Sequence, residues 1–266
     1  MVRLLLLTLL AVAGCASPPP LVITDPAVAP SGPPALIGWW RVGDAGPTVL
    51  IDPATIEVLD GGVAFTGTWR ADPDDRLVAH LDTGRSVLDL ADPPELTPPW
   101  LAAAVAFRVE GSDRVLLDRA GAPTARLVPL PPTAGSGAVD PGRPPAAEEQ
   151  RAAGPAAPVA APLRPAAPDE LAGRWTPTGV TAPAFVELAV DGTWTGSDGC
   201  NGTAGRWVGG ADGGFLSTGA GVHTLIACDG GVDVGAQLAA ARRAAVDGAQ
   251  LVLLDVGGAV AGRFSR

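Results

Sequence analysis

Several short runs of the chain alternate apolar and polar residues with a period of two. "FVELAV" does so ahead of Asp191-Gly192, and "TIEVL" ahead of Asp60-Gly61. Alternation closed by Asp-Gly predicts strands joined in hairpins. A second pattern predicts a helix: Thr97 as its cap, Pro98 at its first position, Gly111 just beyond its end. Trp100, Leu101, Ala104, Val105 and Phe107 supply its apolar face. A matching helix is expected over roughly Val234 to Val246, stopped by Gly248. "RVLLD" and "QLVLLD" then predict strands, followed by turns at Ala120-Gly121 and Gly257-Gly258 and by last strands ending at Leu127 and Phe264. Strands with a single helix, in blocks of under 100 residues, predict an α+β, mainly β fold: two small curled antiparallel sheets, barrel-like, each with one helix.

The two blocks, 36–130 and 169–266, read as copies of one domain. "LIGWW" at 36–40 matches "LAGRW" at 171–175, "EVLDG" at 57–61 matches "LAVDG" at 188–192, and "GTW" at 67–69 matches "GRW" at 205–207. The stretch 101–127 aligns without gaps on 238–264. Duplication is the economical explanation. Trp40, Trp69, Trp175 and Trp207 occupy matching positions, which assigns them to the core rather than to ligand stacking. The offset is 131 from Asp60 to Asp191 but 138 from Trp69 to Trp207, so the second copy is expected to carry a seven-residue insertion that includes Cys200. Cys228 falls opposite Leu90 or Ala91, so the first copy lacks both cysteines together.

The ends and the joints have a different character. "MVRLLLLTLLAVAGC" has Arg3, an apolar run from Leu4 to Val12 that is too short to span a bilayer, and then small residues before Cys15. "VAGC" is similar to a bacterial lipobox, which makes 1–14 a lipoprotein signal peptide and Cys15 the lipidated residue; the alternative is an ordinary secretory signal cut after "AVA". Multiple acyl chains give stable anchoring. Residues 15–35 read as a Pro-rich tether and 131–168 as a disordered Pro/Ala-rich linker. The net charge is −10, and cleavage before Cys15 would remove one Arg and no acid, making it −11. That balance argues against a nucleic-acid partner and against purely electrostatic attraction to anionic lipid. The chain contains neither Lys nor Tyr, a bias that weakens other arguments from composition.

The stretch "DGTWTGSDGCNGTAGRW", followed by "TLIACDG", a helix and "LVLLD", resembles the META domain of the HslJ-like heat-shock lipoproteins over about 171–264. Its carriers are the motif turn Gly199-Cys200-Asn201, the Gly-x-aromatic at Gly205 and Trp207, and a second cysteine, Cys228, four residues after Thr224. The first copy has the skeleton without the Gly-Cys-Asn turn and reads as a degenerate repeat. The resemblance implies a small β-rich domain, often exported and lipid-anchored, associated with stress tolerance, with no agreed enzymatic activity.

Cys200 has four readings. A nucleophile needs a base, and His223 is the only histidine in this copy. A metal site of Cys200, Cys228 and His223 lacks any Cys-x-x-Cys or close His pair. Asn201-Gly202-Thr203 fits a glycan acceptor, although Asn201 suits a turn, with left-handed geometry and a bond to its own backbone. A disulfide between Cys200 and Cys228 is favoured because an exported protein meets an oxidising compartment. Elsewhere, Gly196, Gly199 and Gly202 do not form a phosphate loop, Asp74-Asp75 reads as turn chemistry, and "DGGVD" at 229–233 lacks the calcium pattern. His80 and His223 read as ordinary solvated or hydrogen-bonded residues.

The expectation is therefore a non-enzymatic, lipid-anchored envelope protein with no catalytic residue, metal or cofactor. Its partners would be the membrane, through Cys15, and an unidentified envelope protein or ligand. The alternative is small-molecule or lipid binding by the mouth of the sheet. An exported hydrolase is a third class, without a visible catalytic constellation.

Overall fold

The computed structural model of the 266-residue chain describes residues 31–84, 96–133, 137–219 and 231–266. The first copy contains β1 (Gly38–Val42), β2 (Thr48–Ile51), β3 (Thr55–Asp60), β4 (Val63–Ala71), β5 (Leu77–Gly84), α1 (Pro99–Ala102), β6 (Ala106–Glu110), β7 (Asp113–Leu117) and β8 (Pro123–Pro129). These strands form one antiparallel sheet in the order β5-β4-β3-β2-β1-β8-β7-β6. Its two ends then meet: Arg76 and Ala106 form a bridge, Leu77 N–H donates to Val105 O and Phe107 N–H to Asp75 O. The curled sheet thereby becomes a small barrel.

After α2 (Ala147–Ala152), β9 (Arg164–Pro165) and α3 (Pro168–Leu171), the second copy repeats the plan. It contains β10 (Gly173–Pro177), β11 (Phe185–Leu188), β12 (Thr193–Ser197), β13 (Gly202–Gly209), β14 (Phe215–Ser217), α4 (Val234–Ala240), β15 (Arg243–Asp247), β16 (Gln250–Leu254) and β17 (Val260–Ser265). The order is β14-β13-β12-β11-β10-β17-β16-β15, with β9 added outside β15. Gly214 and Arg243 bridge the ends just as Arg76 and Ala106 do. Identical strand order and identical closure show the duplication at the level of fold.

Matching residues make matching bonds. Trp40 Nε1 donates to Leu36 O and Trp175 Nε1 to Leu171 O, both at 2.8 Å. Asp118 Oδ1 accepts from Ala120 and Ala122 N–H, and Asp255 Oδ1 from Gly257 and Ala259 N–H, which shapes the β7–β8 and β16–β17 turns alike. Each interior is filled by its own apolar cluster. Trp40, Trp69, Phe107, Leu116 and Leu127 fill the first, with Leu101 of α1 as the plug. Trp175, Trp194, Trp207, Phe215 and Phe264 fill the second, plugged by Val234 and Leu238 of α4. A residual cavity of about 10 Å³ in the first barrel has room for one water at most.

Several expectations need correction. Neither long helix forms. α1 stops at Ala102 and α4 at Ala240, and the residues expected to continue them are the closing strands β6 and β15. Short Ala/Val/Leu runs fit both periods, and the open barrel edge offers β6 and β15 a ladder that settles the choice. Thr97 makes no cap bond to the helix; its Oγ1 accepts Leu81 N–H at 2.9 Å instead. The hairpin alignment also shifts. Asp191-Gly192 lies between β11 and β12, opposite the β2–β3 turn, whereas Asp60-Gly61 lies between β3 and β4. Ile56 pairs with Gly67, and Trp194 with Gly205, at the same offset of 138 that relates Trp69 to Trp207. The second copy therefore carries no seven-residue insertion here, and Cys200 stands in the place of Gly62.

The ordered region also extends further than the two blocks. Ala35 and Leu36 are buried at the end of the supposed tether, and Ala35 O accepts Arg114 Nε. Within 137–168, read above as a disordered linker, the chain packs on both barrels. Val139 is buried, and Arg143 pairs with Glu149 at 2.8 Å and with Asp52 of the first barrel at 3.2 Å. Ala152 O accepts Arg242 Nε of the second barrel, Val159 and Leu163 pack on Val252 and Leu254, and β9 pairs with β15. Average composition missed these few anchors, and the prolines between them reduce the entropy that ordering must overcome.

Candidate functional site

The β12–β13 hairpin carries the Gly-Cys-Asn turn. Asp198 organises it: Oδ1 accepts Cys200 N–H at 2.7 Å and Asn201 N–H at 2.6 Å, while Oδ2 accepts Asn201 Nδ2 at 2.8 Å. Those bonds hold the Asp198 carboxyl below the usual carboxylate range, Asn201's side chain contributing most. Ser197 Oγ accepts Gly199 N–H. Gly199 has φ +103°, and a Cβ there would lie 2.8 Å from Ala182 Cβ, so glycine is required twice over. Asn201 departs from its expected role. It is outside the left-handed region, and its side chain bonds Asp198. Its amide is buried and engaged, which removes the glycan reading. Asp198 is the residue that sequence reasoning missed; the Asp-x-Cys-Asn spacing of an Asx turn was its signal.

Cys200 is exposed and disulfide-bonded. Its partner, like Cys15, Cys228 and His223, lies outside the described residues. With three cysteines in the chain, the partner is Cys15 or Cys228. Gly205 and Trp207 lie one and three places beyond Ala204 on β13. A Cβ on Gly205 would come within 2.6 Å of Trp194 Nε1 and 2.9 Å of Thr218 O, so the indole of Trp194 lies directly beneath it. Trp207 is buried, donates to Ala189 O at 3.0 Å and stacks on Phe215 at 6.2 Å.

The outer face of this hairpin meets the first barrel. Val208 and Leu216 pack against Val78 and Val105. Arg206 Nη2 donates to Ala102 O across the seam, and Arg119 of the β7–β8 turn stands 5.8 Å from the Trp207 ring. Asp212 is clamped between Arg76, at 2.6 Å, and Arg243, the two arginines at the barrel-closing bridges. Burial alone would raise its pKa. The hydrogen bond from Arg76, that from Gly214 N–H and the arginine charges outweigh burial and hold it far below the ordinary value.

Beside this seam lies a cleft of about 530 Å³, between β5 and the β12–β13 hairpin. His80 and Asp82 come from one barrel; Thr193, Thr195 and Arg206 come from the other. Burial pushes the His80 imidazole below its usual range, Asp82 opposes that shift and Arg206 adds to it. His80 makes no hydrogen bond to a threonine hydroxyl among the described residues. No group of three or more His, Cys, Asp or Glu suited to a metal occurs among the described residues. Compared with known proteins, the chain matches no family model, no curated protein and no solved structure.

Proposed function

We propose that the protein is a non-enzymatic component of a bacterial envelope, anchored through a lipid on Cys15, whose two META-like barrels act as a single binding body. The observation that carries this reading is the "VAGC" sequence behind a short apolar run, which joins export to lipid attachment. The disulfide-bonded state of Cys200 is consistent with an oxidising compartment. The META-like motif supports the same setting and a part in stress tolerance. Filled barrel interiors favour recognition on the outer surface over lipid held inside the barrel. Metabolic labelling with an alkynyl fatty acid tests the anchor. The wild type should be marked and partition with membranes, and Cys15→Ala should do neither. Equal labelling of the two would remove the proposal.

A further inference from the structure

We infer that the junction where the docked segment meets both barrels binds one small anion of the size of chloride, between the guanidinium groups of Arg70 and Arg242. Both arginines line one crevice of about 20 Å³, walled also by Pro33, Pro53 and Trp69 of the first copy and by Ala152 of α2. Trp69 and Ala71 face the first barrel's core, so Arg70 between them points to the outer face of β4, beside Val78 of the seam. Arg242 immediately precedes β15. Arg70 is partly buried, yet it makes neither a hydrogen bond nor an ion pair among the described residues. Arg242 is buried and meets only carbonyls: Nε donates to Ala152 O at 3.2 Å, and Nη1 to Ala239 O at 2.8 Å and Ala241 O at 2.7 Å. Its Nη2 has no acceptor among the described residues. Arg76 and Arg243, also enclosed at the seam, share the Asp212 carboxylate instead. The one carboxylate in the crevice wall, Glu149, is engaged elsewhere. Its oxygens accept from Arg143 at 2.8 and 2.9 Å, and Oε2 also accepts Ala146 N–H. The wall therefore carries two positive charges against one negative. A desolvated guanidinium is costly unless an opposite charge is bonded to it. Burial depresses the Arg70 pKa against the opposing pull of Glu149 and of the exposed Glu148. Burial, and then the Arg70 charge, push Arg242 down to about 10, with Asp72 opposing. An anion between the two relieves both costs through charge-assisted N–H bonds. Size selects its class: a crevice of about 20 Å³ admits one water-sized body, which suits a halide and excludes phosphate or sulfate. The bound ion joins β4, α2 and the second barrel at one point.

The test is chloride-35 NMR of the protein in sodium gluconate, whose anion is too large for the crevice, titrated with chloride at constant ionic strength. The chloride line should broaden through a site that saturates and that bromide empties. Arg70→Gln should lose the saturable broadening. Arg41→Gln, which removes an equal charge from an exposed position, should keep it. Circular dichroism checks that both variants fold; should Arg70→Gln fail to, bromide competition on the wild type, with phosphate as the control, decides. Absence of saturable broadening in the wild type would overturn the inference. So would equal broadening in a folded Arg70→Gln, or displacement of chloride by phosphate as readily as by bromide. The inference does not depend on the lipid anchor: binding can fail while Cys15 is labelled, and the reverse.

Discussion

At the scale of single residues, the two copies differ most tellingly where Cys200 replaces Gly62. Gly62 has φ +84° at the tip of the first barrel's hairpin. In the equivalent β12–β13 turn of the second barrel the positive φ falls on Gly199, and the Asp198 carboxylate braces the turn. A cysteine can then occupy the tip. We expect its partner to be Cys228, closing a loop of 29 residues that chain-entropy reasoning values at about 3.5 kcal/mol. Reduction should lower the melting temperature, and alkylation of the non-reduced protein should find Cys200 and Cys228 blocked. Two free thiols at these positions would contradict the pairing. Gly205 offers a second test. Alanine there meets Trp194 Nε1 and a backbone carbonyl, and should cost on the order of 1–3 kcal/mol in chemical denaturation. Alanine at Gly202, where nothing lies within 4 Å of the added carbon, should change little. The tryptophans were legible in the sequence because large apolar residues recur at matching positions. The role of Asp198 was harder to see, because one acidic residue among glycines carries no periodic signal.

At the scale of elements, the strands before Asp-Gly were readable and their equivalence was not. Two Asp-Gly pairs invite alignment on each other, yet they close different hairpins, and only the ladder register places Trp194 opposite Gly205 as Ile56 is opposite Gly67. The closing strands β6 and β15 were hidden for a related reason: pairing with a distant edge decides their conformation, and local periodicity does not report it. The same edges carry Arg76 and Arg243, and through Asp212 they join the barrels. The Asp212 pKa is depressed in the folded state, so its contribution is present above the unfolded value near 4 and is lost as pH falls through the folded one. Asp212→Asn should therefore reproduce at pH 7 the faster hydrogen exchange of β5 and β14 amides that the wild type shows only in acid. Unchanged exchange in the variant would mean that the apolar contacts at Val78, Val208 and Leu216 hold the seam alone.

At the scale of the whole molecule, two curled domains were visible in the sequence, and their union was not. The cleft is built from β5 and from a hairpin more than a hundred residues later, so no local motif announces it. Segment 137–168 looked like a free tether because prolines and alanines dominate it, while the contacts that dock it, Arg143 to Asp52 and β9 to β15, are few and distant in sequence. The barrels, the seam and the docked segment form one body. Small-angle X-ray scattering of the soluble chain from Ser31 onward tests it most directly. One compact body of this length should give a radius of gyration of about 17–18 Å. Two barrels swinging on a flexible 38-residue linker would give roughly 25 Å or more, and that result would contradict the account.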